Sequence, residues 1–80
     1  MNAQDELAER GFYVGSRVGD ERRPFRLGTI VDLLGLEVIS TVWDDGEYET
    51  TRWVNLAPLF RTVGPDYLRR IKHGQWRQTA

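Results

Sequence analysis

The segment that decides the fold covers residues 25–53 and reads FRLGTIVDLLGLEVISTVWDDGEYETTRW. Its first nine residues alternate in the manner of a strand with one buried face. This alternation predicts a strand whose odd positions face the core: Phe25, Leu27, Thr29, Val31 and Leu33. The segments 36–43 and 47–53 are rich in β-branched and aromatic residues and predict two more strands.

An Asp-Asp-Gly tripeptide at residues 44–46 predicts a tight turn between these last two strands. Two registers fit it. A two-residue turn would place Trp43 opposite Tyr48, which makes an aromatic cross-strand pair. A type I turn followed by a glycine bulge would place Val42 opposite Tyr48 and Trp43 opposite Glu47. The sequence does not decide between the two registers.

Short helices are expected on both sides of this β region. Residues 1–11 contain good helix formers and end with Gly11, which is placed to stop a helix, and so short a helix forms only if Leu7 and Ala8 dock on the core. A further strand is expected from Phe12 to Val18.

After the β region, Pro58 is expected to end the sheet or to lie at its edge. A Gly-Pro-Asp start at residue 64 and a stop at Gly74 predict a short basic helix over residues 64–74. Residues 75–80 read as a tail, and Trp76 is its anchor.

The segment 25–59 resembles the Tudor and related SH3-like small β-barrel families. The resemblance rests on Gly28-Thr29-Ile30, on the Trp-Asp-Asp-Gly turn at residues 43–46, and on the Leu-Ala-Pro-Leu ending at residues 56–59. It implies a mainly β domain: an SH3-like barrel of four to five antiparallel strands over residues 12–60, with short N- and C-terminal helices. The Tudor aromatic cage does not carry over, because its positions fall on Arg26, Val42 and Asp45.

Length and composition exclude several classes of function. A chain of 80 residues forms one domain with a marginal core, which self-association would enlarge. It has no cysteine and no apolar run that could span a membrane, and we expect a cytoplasmic protein of bacterial or phage type. With a single histidine and no nucleophile–base pair, we expect no enzyme. We expect no cofactor or metal site either, so a chelator should leave the melting temperature unchanged.

Charge is polarised along the chain. Residues 1–50 hold five basic and eleven acidic residues, a net charge of −6, whereas residues 51–80 hold six basic residues and one acidic residue, a net charge of +5. Our leading hypothesis is a protein-interaction module or small regulator that binds a basic partner protein through an acidic–aromatic hairpin. The residues expected to contact that partner are Phe25, Trp43, Asp44, Asp45, Glu47 and Tyr48. This hypothesis requires the Trp43–Tyr48 region to be partly exposed and gives Trp53 a mainly structural role.

The alternative hypothesis is nucleic-acid binding by the basic C-terminal segment. Its candidate residues are Arg69, Arg70, Lys72, His73 and Arg77. The acidic β region argues against this alternative, since it would repel phosphates lying across it.

Overall fold

The computed structural model describes residues 3–35 and 37–72. Its elements are helix α1 (Ala3–Glu9) and strands β1 (Ser16–Asp20), β2 (Leu27–Leu33), β3 (Val38–Trp43) and β4 (Tyr48–Arg52), followed by a turn of 3₁₀-helix (Trp53–Asn55), strand β5 (Leu56–Thr62) and helix α2 (Pro65–Lys72). The prediction of a mainly β domain with two short helices is confirmed. Among the described residues, no helix has the length and apolar character that crossing a membrane requires.

The five strands form one antiparallel sheet in the order β4-β3-β2-β1-β5. Strands β4 and β5 are its two edges, and no ladder of hydrogen bonds joins them within the described residues, so the sheet is open. Pro58 lies in β5, which confirms its predicted place at an edge, where the missing N–H costs no ladder bond. The strand expected from Phe12 begins only at Ser16, because Tyr13 to Ser16 form a turn.

The sheet has an inner face, which carries the main core, and an outer face, which carries α2. Buried side chains of the main core come from α1, from the segment after it and from four strands: Leu7, Phe12, Val18, Ile30, Ile39, Trp43 and Leu56. Leu7 docks as expected, whereas Ala8 stays exposed. The chain leaves α1 through Gly11, whose φ of +93° is favourable for glycine.

The prediction that the odd positions of β2 face the core is wrong. Ile30, at an even position, is completely buried in the main core, and Val31 is buried on the outer face under α2. The register shifts between Ile30 and Asp32, so a bulge turns Leu33 back toward the main core. Both faces of β2 are covered, so its apolar residues do not all lie on one face of the strand.

The register of the β3–β4 hairpin is the bulged one. Val42 lies opposite Tyr48, and the backbone N–H of Trp43 donates to the carbonyl of Glu47. The N–H of Gly46 donates to the carbonyl of Trp43 at 2.8 Å, and Gly46 has a φ of +93°. A glycine in the left-handed region therefore completes the turn, as the second alternative requires.

Helix α2 packs on the outer face of the sheet. Ile71 is buried with Val31 and Val42, and Leu68 packs against them. Pro65 begins the helix, as the sequence predicts, while its predicted end at Gly74 and the tail after it lie outside the described residues. The helix holds eight residues, too few to be stable in water alone, so this packing is what maintains it.

Candidate functional site

The acidic residues of the β3–β4 turn are paired with arginines from elsewhere in the chain. Asp44 receives two 2.7 Å hydrogen bonds from the guanidinium group of Arg17 in β1. Arg17 also donates to the hydroxyl of Thr29 at 3.0 Å, and this bond fixes the Arg17–Asp44 ion pair to the outer face of the sheet. The hydrogen bonds to Asp44 raise the pKa of Arg17.

A second group of charges closes one end of the inner face. We call it the arginine–carboxylate cluster, and its members are Asp20, Arg22, Arg26, Asp45, Glu47 and Glu49. Four carboxylates meet two guanidinium groups, which leaves an excess of two negative charges. The cluster joins the end of β1, the loop after it, the β3–β4 turn and β4.

Arg22 is the bridge between β1 and β4 in this cluster. Its Nε donates to Asp20 at 3.0 Å, and its Nη2 donates to Glu49 at 2.8 Å. The side chain of Asp20 is completely buried, and its backbone partner is the N–H of Arg22 at 2.9 Å. Burial raises the pKa of Asp20, but the hydrogen bonds from Arg22 and the ion pair with Arg26 at 3.5 Å outweigh it, so the pKa lies below its ordinary value.

Arg26 is the second bridge, and it lies over an aromatic ring. Its guanidinium carbon is 4.6 Å from the centre of the Trp43 ring, a cation–π contact. Its Nη2 lies 2.9 Å from Glu47 and 3.4 Å from Asp45. The indole N–H of Trp43 donates to Glu49 at 2.9 Å, so Arg26 contacts one face of the ring and Glu49 binds its edge.

The expectation that Trp43 is partly exposed is wrong. Trp43 is 1% exposed and belongs to the main core, whereas Trp53 is half-buried between Arg10 and Phe12. The bulged register places Trp43 on the inner face, where Gly28 of the neighbouring strand leaves room for the indole. Tyr48, opposite Val42, lies on the outer face, so the two aromatic residues do not form one patch.

Phe25 is the most exposed large apolar residue of the predicted set. It is 99% exposed, its φ is +67°, and Leu27 beside it is also exposed. A shallow cleft runs between these residues and the turn carboxylates Asp44 and Asp45. We call this area the Phe25 surface, defined by Phe25, Leu27, Asp44 and Asp45.

The arginines were missed by the sequence hypothesis, which treated the acidic turn as an open negative patch. Arg22 and Arg26 lie in a loop whose sequence predicts solvent exposure. Nothing in the local sequence shows that Arg26 lies over Trp43 or that Arg22 bridges Asp20 and Glu49. The one signal in the sequence that could have predicted these ion pairs is the number of arginines in the acidic half of the chain, because arginines readily pair with carboxylates.

The basic residues of the alternative hypothesis lie on α2. Arg69, Arg70 and Lys72 are exposed, and Arg69 lies 3.5 Å from Asp66. Arg70 and Lys72 form no ion pair with any residue in the described ranges. His73 and Arg77 lie outside the described residues.

Within residues 3–35 and 37–72, no group of three metal-ligating side chains could hold a metal ion. Comparison of the chain with protein-family models, curated proteins and solved structures gave no significant match. The candidate site therefore depends on geometry: an ionic cluster built around the buried Asp20 and the nearly buried Arg26, with the exposed Phe25 next to Arg26 in the chain.

Proposed function

We propose that this domain is a non-enzymatic protein-interaction module that docks a partner protein on the Phe25 surface. The observation that carries the proposal is the position of Phe25, which is 99% exposed at a φ of +67°. A phenylalanine in the left-handed region costs about 1 kcal/mol or more. Because the ring is exposed, it contributes no hydrophobic stabilisation that would offset this strain. Docking of a partner protein would explain why a strained phenylalanine lies at this position.

The residues beside Phe25 favour tight binding, since they hold its loop in place. Pro24 precedes it, and Arg26 after it is fixed by Trp43, Glu47 and Asp20. A side chain presented by a rigid loop loses little conformational entropy when it binds. Exposed aromatic residues on such supports are frequent anchors of protein interfaces.

Charge favours a partner with a basic surface. Asp44 and Asp45 are exposed beside Phe25, and the arginine–carboxylate cluster, to which Asp45 belongs, has an excess of two negative charges. Such a field increases the association rate of a positively charged partner more than it increases final affinity. The acidic turn thus retains its proposed role, although its arginine partners reduce the field.

For the fold, we propose an SH3-like, Tudor-like barrel. Two features support this assignment: the sheet has five antiparallel strands, and the last of them returns to lie beside the first. A small regulator of the cytoplasm remains the cellular role that we propose for it.

The test replaces Phe25 by glycine and compares it with a matched control. Phe60 is also exposed (71%) at a positive φ of +56°, but it lies on the β5 edge. We expect Phe25→Gly to leave the free energy of unfolding unchanged or raised by up to about 1 kcal/mol, because glycine relieves the strain. Affinity capture from the native host, quantified by mass spectrometry, should lose a partner that Phe60→Gly retains.

Equal capture by Phe25→Gly and the unchanged chain would refute this proposal. The exposed cations of α2 keep nucleic acid as the competing function. Nucleic-acid binding is tested by a triple variant that reverses the charge of α2: Arg69→Glu, Arg70→Glu and Lys72→Glu. If the unchanged chain binds random-sequence nucleic acid with a steep dependence on salt, and the reversal abolishes this binding, the competing function replaces ours.

A further inference from the structure

The two edges of the sheet differ in how well they are protected from pairing with another strand. The β5 edge contains Pro58, which has no N–H, and Phe60 with its φ of +56° interrupts the regular strand. The β4 edge, Tyr48-Glu49-Thr50-Thr51-Arg52, contains neither proline nor glycine and favours extended structure. Only β4 therefore presents a regular edge.

Two backbone hydrogen bonds determine which groups of β4 point outward. Trp43 donates to Glu47 at 2.8 Å, and Trp53 donates to Glu37 at 2.9 Å. Hydrogen-bonded pairs alternate along an antiparallel ladder, so the odd residues of β4 bond to β3. The N–H and C=O groups of Thr50 and Arg52 consequently point away from the sheet, toward the open edge.

We propose that β4 pairs antiparallel with β4 of a second copy of this chain, about a two-fold axis at Thr50. The N–H of each Thr50 then donates to the C=O of Thr50 in the other copy, and the two sheets become continuous. This inference uses the edge of the sheet and is independent of the Phe25 surface.

The self-pairing is favoured by the residues that it brings together. The two-fold axis places Tyr48 of one copy opposite Arg52 of the other, on the outer face, where both side chains are exposed. A guanidinium group beside a tyrosine ring gains a cation–π contact. Glu49 lies opposite Thr51, so the carboxylates of the two copies do not face each other.

Charged residues at Thr50 give a test with an internal rescue. Thr50 lies on its own symmetry axis, so Thr50→Lys places two ammonium groups opposite each other, and Thr50→Glu places two carboxylates there. We expect sedimentation equilibrium to show the unchanged chain approaching twice its 9.3 kDa mass as concentration rises. Each variant alone should dissociate at least about tenfold more readily, and their equimolar mixture should regain the dimer.

A matched control is Thr62→Lys, an exposed position on the β5 edge, which should leave the dimer intact. Circular dichroism verifies that each variant is folded, because Thr50 also contacts the hydroxyl of Ser40 at 3.2 Å. Amide hydrogen exchange gives a readout that needs no variant: the Thr50 N–H should become protected as concentration rises. A chain that stays monomeric at about 1 mM, or a dimer that both Thr50 variants leave intact, overturns the inference.

Discussion

At the scale of single residues, the aromatic side chains and Gly28 are the most informative. The turn and its glycine could be predicted from the sequence, since Asp-Asp-Gly carries its own conformational preference. The burial of Trp43 could not be predicted, because it depends on Gly28, which lies in the neighbouring strand and far from Trp43 in the sequence. Only the paired register shows that Trp43 lies over Gly28.

Gly28→Ala should strongly destabilise the domain. A Cβ atom at this position would lie 2.7 Å from the Trp43 ring and 2.9 Å from the backbone oxygen of Val42. The backbone cannot move without disrupting the ladder, so we expect a loss of about 2–3 kcal/mol in the free energy of unfolding. Urea denaturation measures it, and Gly64→Ala is the control, since nothing lies within 4 Å of its added Cβ. Equal stability of the two variants would contradict this account of Trp43.

At the scale of elements, local signals predicted where α1 ends and where α2 begins, and tertiary contacts decided which faces are buried. Gly11 ends a helix and Pro65 begins one through local backbone conformation, and both positions were predicted correctly from the sequence. The buried face of β2 was predicted wrongly, because α2 covers the side opposite the main core. A period of two describes a strand with one covered face, and β2 has two.

Ile71→Ala should release α2 from the sheet. Ile71 is the buried residue of this helix, and an eight-residue helix is not stable without packing. We expect a loss of about 2–4 kcal/mol and fast hydrogen exchange of the α2 amides. Arg70→Ala, at an exposed position of the same helix, should change neither quantity by much. Slow exchange of these amides in Ile71→Ala would show that α2 is held by other contacts.

At the scale of the whole molecule, the arginine–carboxylate cluster joins parts of the chain that are distant in sequence. Hydrogen bonds from Arg22 lower the pKa of Glu49, and the pKa of Asp20 is also below its ordinary value. A lowered folded-state pKa contributes stability that is present above the unfolded pKa and lost as pH falls through the folded one. The cluster should therefore weaken below about pH 4.5.

Asp20→Asn should remove much of this dependence. At pH 7 we expect a loss of about 2–3 kcal/mol, because Arg22 and Arg26 lose a buried partner, although Arg22 retains contact with solvent. The gap between the variant and the unchanged chain should shrink as pH falls from about 5 to 2.5, as measured by urea denaturation. Asp66→Asn, on an exposed carboxylate, serves as the control. A gap that stays constant over this range would exclude Asp20 as a source of acid sensitivity.

The pairing of the first and last strands has a mechanical consequence. Ser16 lies opposite Thr62, so the chain enters β1 and leaves β5 at the same end of their ladder. Tension applied to the two flanking segments would load this end first and peel β5 from the sheet one hydrogen bond at a time. When two paired strands are pulled in opposite directions along their length, all the hydrogen bonds between them bear the force together. When they are pulled apart from one end, the hydrogen bond at that end bears the force alone. The domain should thus yield to weak pulling forces even where its chemical stability is high.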